Sequence, residues 1–260
     1  MTVLESVLGR QGSVADRIET FVHAGIPRVG LLRGYLESGD WNAELPAIDG
    51  SKIDVTHLGH ASMFTLEDPN QWDRERQALR QTIDVAVALG ARCVYGTTGG
   101  GVSMEWEQAA DAFCAAVQPI VVYAGERSMP FLIEPTIVIY ADMSIVHTFR
   151  DTVDLATRAG VGVCIDLKTC WWERGLEETI SRAARQIGLV QMSDYVPGKR
   201  TVDAIRAVPG DGVVPLERHV DRILGAGYAG LFDLELGYEP DLDFAQRVGR
   251  GANRVGGMLS

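Results

Sequence analysis

The chain has 260 residues, 46% of them hydrophobic, and carries a formal net charge of −11 at pH 7. That apolar content supports one large core, and about 250 residues is the usual span of a single α/β barrel. The negative charge argues against a nucleic-acid backbone or an anionic membrane surface as partner.

Thr2–Leu8 is the weakest of the strand candidates. Ser13 is placed to cap a helix over Val14–Ala24 that ends near Gly25. Arg28–Leu32 reads as a strand, and Asp54–Leu58 as another, with His57 and His60 at its end. Asp73–Leu89 is an amphipathic helix closed by Gly90, and Ala91–Tyr95 is a strand running into Gly96-Thr97-Thr98-Gly99-Gly100-Gly101. Met104–Gln118 is helical, Pro130–Ile133 a strand, Ser144–Ala159 a helix stopped at Gly160, and Gly162–Ile165 a strand. Leu176–Ile187 comes next as a helix, Leu189–Met192 as a strand, Pro215–Ala226 as a helix ended by Gly227, Gly230–Leu236 as the last strand and Phe244–Met258 as a closing helix. Strand–helix alternation with short connections indicates a parallel sheet. Eight such units close into a (β/α)8 TIM barrel, here one domain over residues 1–260; an open doubly wound sheet is the alternative.

The N-terminus has no basic stretch leading into a long apolar core, and no apolar run approaches the roughly 20 residues that span a bilayer, so a cytoplasmic location is expected. Cys93, Cys114, Cys164 and Cys170 follow no CxxC spacing and read as buried, reduced thiols.

Four strands end in a polar residue: Glu134 after Pro-Phe-Leu-Ile, Asp166 after Val-Cys-Ile, Gln191 after Gly-Leu-Val, and Glu235 after Phe-Asp-Leu. In a barrel all C-terminal strand ends open onto one face, where chemistry sits. A carboxylate there is costly to bury unless something pairs with it. Three carboxylates and an amide oxygen would form a cage for a divalent cation; the alternative is salt bridging to arginines at the barrel rim.

Ile133-Glu134-Pro135, Cys164-Ile165-Asp166, Val190-Gln191-Met192-Ser193-Asp194, Arg206-Ala-Val-Pro209-Gly210-Asp-Gly212 and Gly227-Tyr228-Ala-Gly230-Leu-Phe-Asp-Leu-Glu235 succeed one another in the order seen in the xylose isomerase-like TIM-barrel superfamily. The second half of the chain resembles that family, which holds sugar isomerases, ketose 3-epimerases, inosose dehydratases and dehydroshikimate dehydratases. The resemblance implies that Glu134, Asp166, Gln191 and Glu235 bind a divalent ion, with Mn2+ expected and Mg2+ or Co2+ as alternatives. It implies that Arg206 helps to hold substrate oxygens, and that Glu134 and Glu235 move protons. Many members carry His where this chain has Gln191 and Thr169, and an acidic residue at the end of the second strand that Arg28–Leu32 does not supply.

Other candidates come from position. His57 at a strand end is a candidate general base, and His60 a candidate substrate ligand; a hydrogen-bonded rim histidine is the other reading of each. Lys168, beyond the Asp166 strand, is placed to meet a developing oxyanion. Trp171 and Trp172 offer flat faces to a sugar ring or could bury a dimer contact. Asp194 could orient a metal ligand or accept from substrate hydroxyls. The glycine-rich run after Tyr95 has neither P-loop nor dinucleotide spacing and reads as a flexible loop bordering the site. His23, His147 and His219 read as surface or packing residues.

The expected activity is metal-dependent isomerisation or epimerisation of a small polyhydroxylated carbonyl compound through an enediolate. A dehydratase or β-eliminating lyase on a keto-cyclitol or 3-keto-glycoside is the alternative, and a non-catalytic binding or partner subunit a second one. Barrels of this family often pair, which leaves a homodimer open.

Overall fold

A computed structural model describes residues 1–36, 40–50, 52–60, 64–198 and 206–260. The strands are β1 Thr2–Leu4, β2 Arg28–Leu32, β3 Asp54–His60, β4 Cys93–Gly96, β5 Phe131–Ile133, β6 Gly162–Asp166, β7 Ile187–Met192 and β8 Leu231–Leu234. They close in chain order into one barrel, β8 pairing in parallel with β1. The helices are α1 Val14–His23, α2 Trp41–Asp49, α3 Trp72–Ala88, α4 Trp106–Glu126, α5 Phe149–Ala159, α6 Leu167–Cys170, α7 Leu176–Ala183, α8 Leu216–Gly225 and α9 Phe244–Met258. Among the described residues no helix is long and apolar enough to cross a membrane.

The strands are apolar on both faces because both faces are covered. Outward residues such as Val94, Ile133, Ile165, Val190 and Phe232 pack with the helices in the large core. Inward residues Cys93, Tyr95, Leu132, Cys164, Leu189 and Leu231 fill the barrel interior. Side chains alternate along a strand, so the inward set fixes the direction of the side chains at the strand ends. Glu134, two residues after Leu132, is inward, and by the same count so are Asp166, Gln191 and Glu235.

Several elements differ from the expectation drawn from sequence. Thr2–Leu8 is a strand only to Leu4, and Glu5–Leu8 forms a 3-10 turn. Leu176–Ile187 stops as a helix at Ala183, and Ile187 already belongs to β7. α2 has no counterpart among the expected elements; it contains Pro46, and Trp41 anchors it through an indole N–H donated to Thr82 Oγ1 at 3.1 Å. α4 runs straight through Pro119, beyond the expected end at Gln118. Proline has no N–H to give the carbonyl four residues back. Here Arg76 of α3 supplies the replacement, donating Nη2 to Ala115 O at 3.2 Å and Nε to Ala116 O at 2.9 Å.

Candidate active site

The four strand-end residues stand at the C-terminal mouth of the barrel. Asp166 is the last residue of β6 and lies in register with Gln191 of β7, which in turn lies in register with Asp233 of β8. Glu134 and Glu235 each stand one residue beyond the ends of β5 and β8.

Asp166 caps the one-turn helix α6. Its Oδ1 accepts the Lys168 backbone N–H at 3.1 Å, and its Oδ2 accepts the Thr169 hydroxyl at 2.5 Å and Arg206 Nη2 at 2.8 Å. Arg206 Nη1 lies 2.9 Å from Glu235 Oε2 and donates to Ser193 Oγ at 3.2 Å. One guanidinium therefore bridges two of the carboxylates.

The environments split the carboxylates. Burial works against an ionised Asp166, yet Arg206 and the Thr169 hydroxyl bring its pKa below the ordinary value. Burial pushes Glu134 well above the carboxylate range, and the charges of Glu235 and Asp166 push the same way. Burial raises Glu235 to about 8 despite Arg206, with Asp166 and Asp233 adding to the rise. Burial disfavours the charged Arg206, but Asp166 and Glu235 more than offset it and raise its pKa.

A cavity of about 590 Å³ opens above this cluster. Glu134, Glu235, Arg206, Lys168 and Thr169 line it, as the sequence suggested for the first four; Arg10, Tyr35, Thr97, Tyr140 and Met143 line it as well. Those five come from loops after β1, β2, β4 and β5; the loop after β4, which holds Thr97, was expected to border the site, and for the other four spacing alone gives no signal.

Four sequence candidates are placed elsewhere. His57 points inward but lies deep in the barrel, fully buried, with Nδ1 3.0 Å from Thr56 Oγ1 and Nε2 3.5 Å from Asp233 Oδ2. Its imidazole crosses β2 above Gly30, where a Cβ would sit 2.1 Å from Nε2. It does not line the cavity, so it has no direct reach to a substrate proton and is not the general base. His60, three residues on, faces out toward α3, its Nδ1 2.8 Å from Thr82 Oγ1. Burial, reinforced by Arg33, pushes its pKa down to about 3; it is a neutral packing residue, not a substrate ligand. Asp194 is a clamp. Its two oxygens accept the backbone N–H groups of Tyr195, Gly210, Gly212 and Val214 at 2.8 to 3.0 Å. That leaves little for a substrate hydroxyl, but it fixes the Arg206–Val214 loop that presents Arg206. Trp171 lines a separate groove of about 390 Å³ with Trp172, Arg218 and His219, rather than the carboxylate cavity.

The glycine-rich run borders the cavity through Thr97, but its glycines serve close packing. A Cβ at Gly99 would meet Phe64 O at 1.8 Å, and one at Gly100 would meet Asp142 O at 2.2 Å. The insertion before Pro209 is described only in part, residues 199–205 lying outside the described residues.

A divalent ion can be tested against the donors. Among the described residues no three His, Cys, Asp or Glu side chains are gathered at ligand spacing as they stand. Arg206 instead occupies the region between Asp166 and Glu235, a guanidinium standing in for positive charge that three carboxylates attract. Gln191 Oε1 accepts from Cys164 Sγ at 3.3 Å, and Gln191 Nε2 is buried without a partner. A half-turn of that amide exchanges the two atoms and puts the oxygen in the unpartnered place. Three carboxylates with one amide oxygen are the chemistry of a hard-ion site, and the residues fit one.

A closed parallel barrel with an acidic, arginine-bridged mouth belongs to the TIM-barrel class. The family model described as xylose isomerase-like TIM barrel matches residues 45–253, and the chain belongs to that family. No curated protein matches the chain. Among solved structures, protein SMc04130 from Sinorhizobium meliloti is 22% identical with a TM-score of 0.85, covering 99% of this chain and 98% of its own. A D-psicose 3-epimerase from Clostridium cellulolyticum, solved with D-tagatose, is 14% identical with a TM-score of 0.73, covering 99% and 93%. The IolI protein, solved with a zinc atom, is 14% identical with a TM-score of 0.80, covering 100% and 97%. At these identities the likeness is one of fold. The fold family consists mostly of sugar-processing enzymes.

Proposed function

We propose that this protein is a divalent-metal-dependent isomerase or epimerase of a sugar-like polyhydroxy carbonyl compound, acting through an enediolate. The observation that carries the reading is the pairing of Glu134 and Glu235, two carboxylates lining one cavity with Lys168 and Arg206. A base whose pKa lies near the working pH both takes and returns a proton efficiently. One glutamate, ionised, removes and keeps the proton beside the substrate carbonyl, and the other, protonated from solvent, delivers its own proton to the opposite face or the adjacent carbon; both then re-equilibrate with solvent. Arg206 and Lys168 hold the substrate oxygens that gain negative charge. Glu134, Asp166, Gln191 and Glu235 would hold the ion, whose charge, once bound, acidifies the C–H bond and stabilises the oxyanion. The zinc atom in IolI and the ketose bound by the psicose epimerase support a cation and a ketose on this scaffold.

The test is incubation of metal-loaded protein with ketoses, keto-inositols, dehydroshikimate and 3-keto-glycosides. A mass-neutral product is expected. Loss of water or of an aglycone would assign a lyase, and bound ligand with no chemistry a binding protein. Glu134→Gln and Asp166→Asn are expected to lose activity and metal content together; full turnover by metal-free variants rejects the mechanism.

A further inference from the structure

The cavity has a cation that the proposed chemistry does not use. Arg10 lines it, and among the described residues no carboxylate pairs with its guanidinium. Arg206, by contrast, is engaged by Asp166 and Glu235.

The surroundings of Arg10 are built rather than incidental. It sits in a tight turn between Gly9 and Gly12, both left-handed at φ 63° and 67°. Gly9 packs so closely on Tyr238 that a Cβ would meet the ring at 2.9 Å. The turn is tied down by Arg17, which donates to Gly12 O at 2.7 Å and to Tyr35 O at 2.9 Å. Arg17 is itself fixed by a buried ion pair with Glu5 at 2.9 Å, the two side chains 2% and 0% exposed. Glu5 also accepts the backbone N–H of Leu32, joining the turn to the end of β2. The Tyr35 ring completes the arrangement: the Arg10 guanidinium carbon lies 5.4 Å from its centroid and that of Arg17 5.9 Å. Stacking on an aromatic ring limits the freedom of the long Arg10 side chain and leaves its N–H fork available.

We infer that Arg10 is a specificity residue and that the substrate carries an oxyanion, a carboxylate or a phosphate, at the end of the molecule away from the reacting carbonyl. The planar fork matches either group in a two-point contact, and charge-assisted bonds of this kind are the strong ones. A cavity of about 590 Å³ has room for a six-carbon acid or a hexose phosphate. In a chain of net charge −11, an arginine held at the cavity with no ion-pair partner among the described residues offsets the general repulsion an anionic substrate meets. The inference rests on the proposed function for which end of the substrate reacts, not for the presence of the anion contact.

Calorimetry on the metal-loaded protein tests it with three unreactive ligands: sorbitol, gluconate and sorbitol 6-phosphate. The wild type is expected to bind at least one anion about 10- to 100-fold more tightly than sorbitol, and the tighter of the two identifies the group. Arg10→Gln is expected to erase that preference and Arg10→Lys to keep part of it. Sorbitol binding as tightly as both anions, or a preference intact in Arg10→Gln, overturns the inference. An anion preference without turnover of any ketose would remove the proposed function and leave this contact standing; ketose turnover without the preference would do the reverse.

Discussion

Glu235 and His60 show burial sending two titratable side chains in opposite directions. The buried carboxylate rises to about 8 and the buried imidazole falls to about 3, because each is held toward its neutral form. Under the proposed function Glu235 moves a proton: Glu235→Gln keeps the shape and removes the titrating group, so kcat for ketose interconversion is expected to fall by about 10²- to 10⁴-fold. For His60 the consequence is stability. Between pH 6.5 and 3 the unfolded chain binds a proton at this site that the folded chain does not, so stability is present above pH 6.5 and lost as pH falls. Urea unfolding is expected to show the wild type losing about 2 kcal/mol relative to His60→Gln from pH 6.5 to 5, at up to about 1.4 kcal/mol per pH unit, because Glu235 and His219 titrate alike in both proteins. An unchanged slope in the variant would place the acid sensitivity elsewhere. His57 and His60 were both visible as strand-end residues. Three positions apart on a strand they face opposite ways, so they never shared a role, and alternation could have separated them.

At the scale of elements, the Arg206–Val214 loop depends on one side chain from β7's end. Asp194 satisfies four backbone N–H groups, three of them in this loop, and the loop delivers Arg206 to the carboxylates. Asp194→Ala is expected to cost at least about 3 kcal/mol and to raise KM, as measured by denaturant midpoint and steady-state kinetics. A variant of normal KM would mean that Arg206 is held without the clamp. The motif around Pro209 was legible, but its holder was not, since an acidic residue after a strand reads equally as a ligand. α4 makes the same point differently. A proline marks a helix end unless a donor arrives from outside, and Arg76 lies about 40 positions away in the chain. Arg76→Met leaves Ala115 O without that donor and is expected to destabilise the protein by about 1–3 kcal/mol in urea unfolding.

For the whole molecule, the barrel was legible because closure needs only eight repeats of one pattern, each with an apolar strand and a covering helix. The four strand-end residues were legible because burying a polar group after an apolar run calls for a reason. The cavity walls were not, since Arg10 and Tyr35 reach it from loops whose paths depend on the buried Glu5–Arg17 pair. Gathering three carboxylates at one mouth costs the fold stability that a cation bound there, as proposed, would restore. A divalent ion at 100 times its Kd is therefore expected to raise unfolding stability by about 2.7 kcal/mol, and Glu134→Gln with Asp166→Asn to abolish that gain. The most direct measurement is solvent deuterium incorporation, monitored by NMR, into ketoses incubated with the metal-loaded protein. One deuteron at the carbon beside the carbonyl is predicted for the wild type, and none for Glu134→Gln with Glu235→Gln. Exchange that persists in the double variant, or is absent from every ketose with the wild type, contradicts proton transfer by these two glutamates.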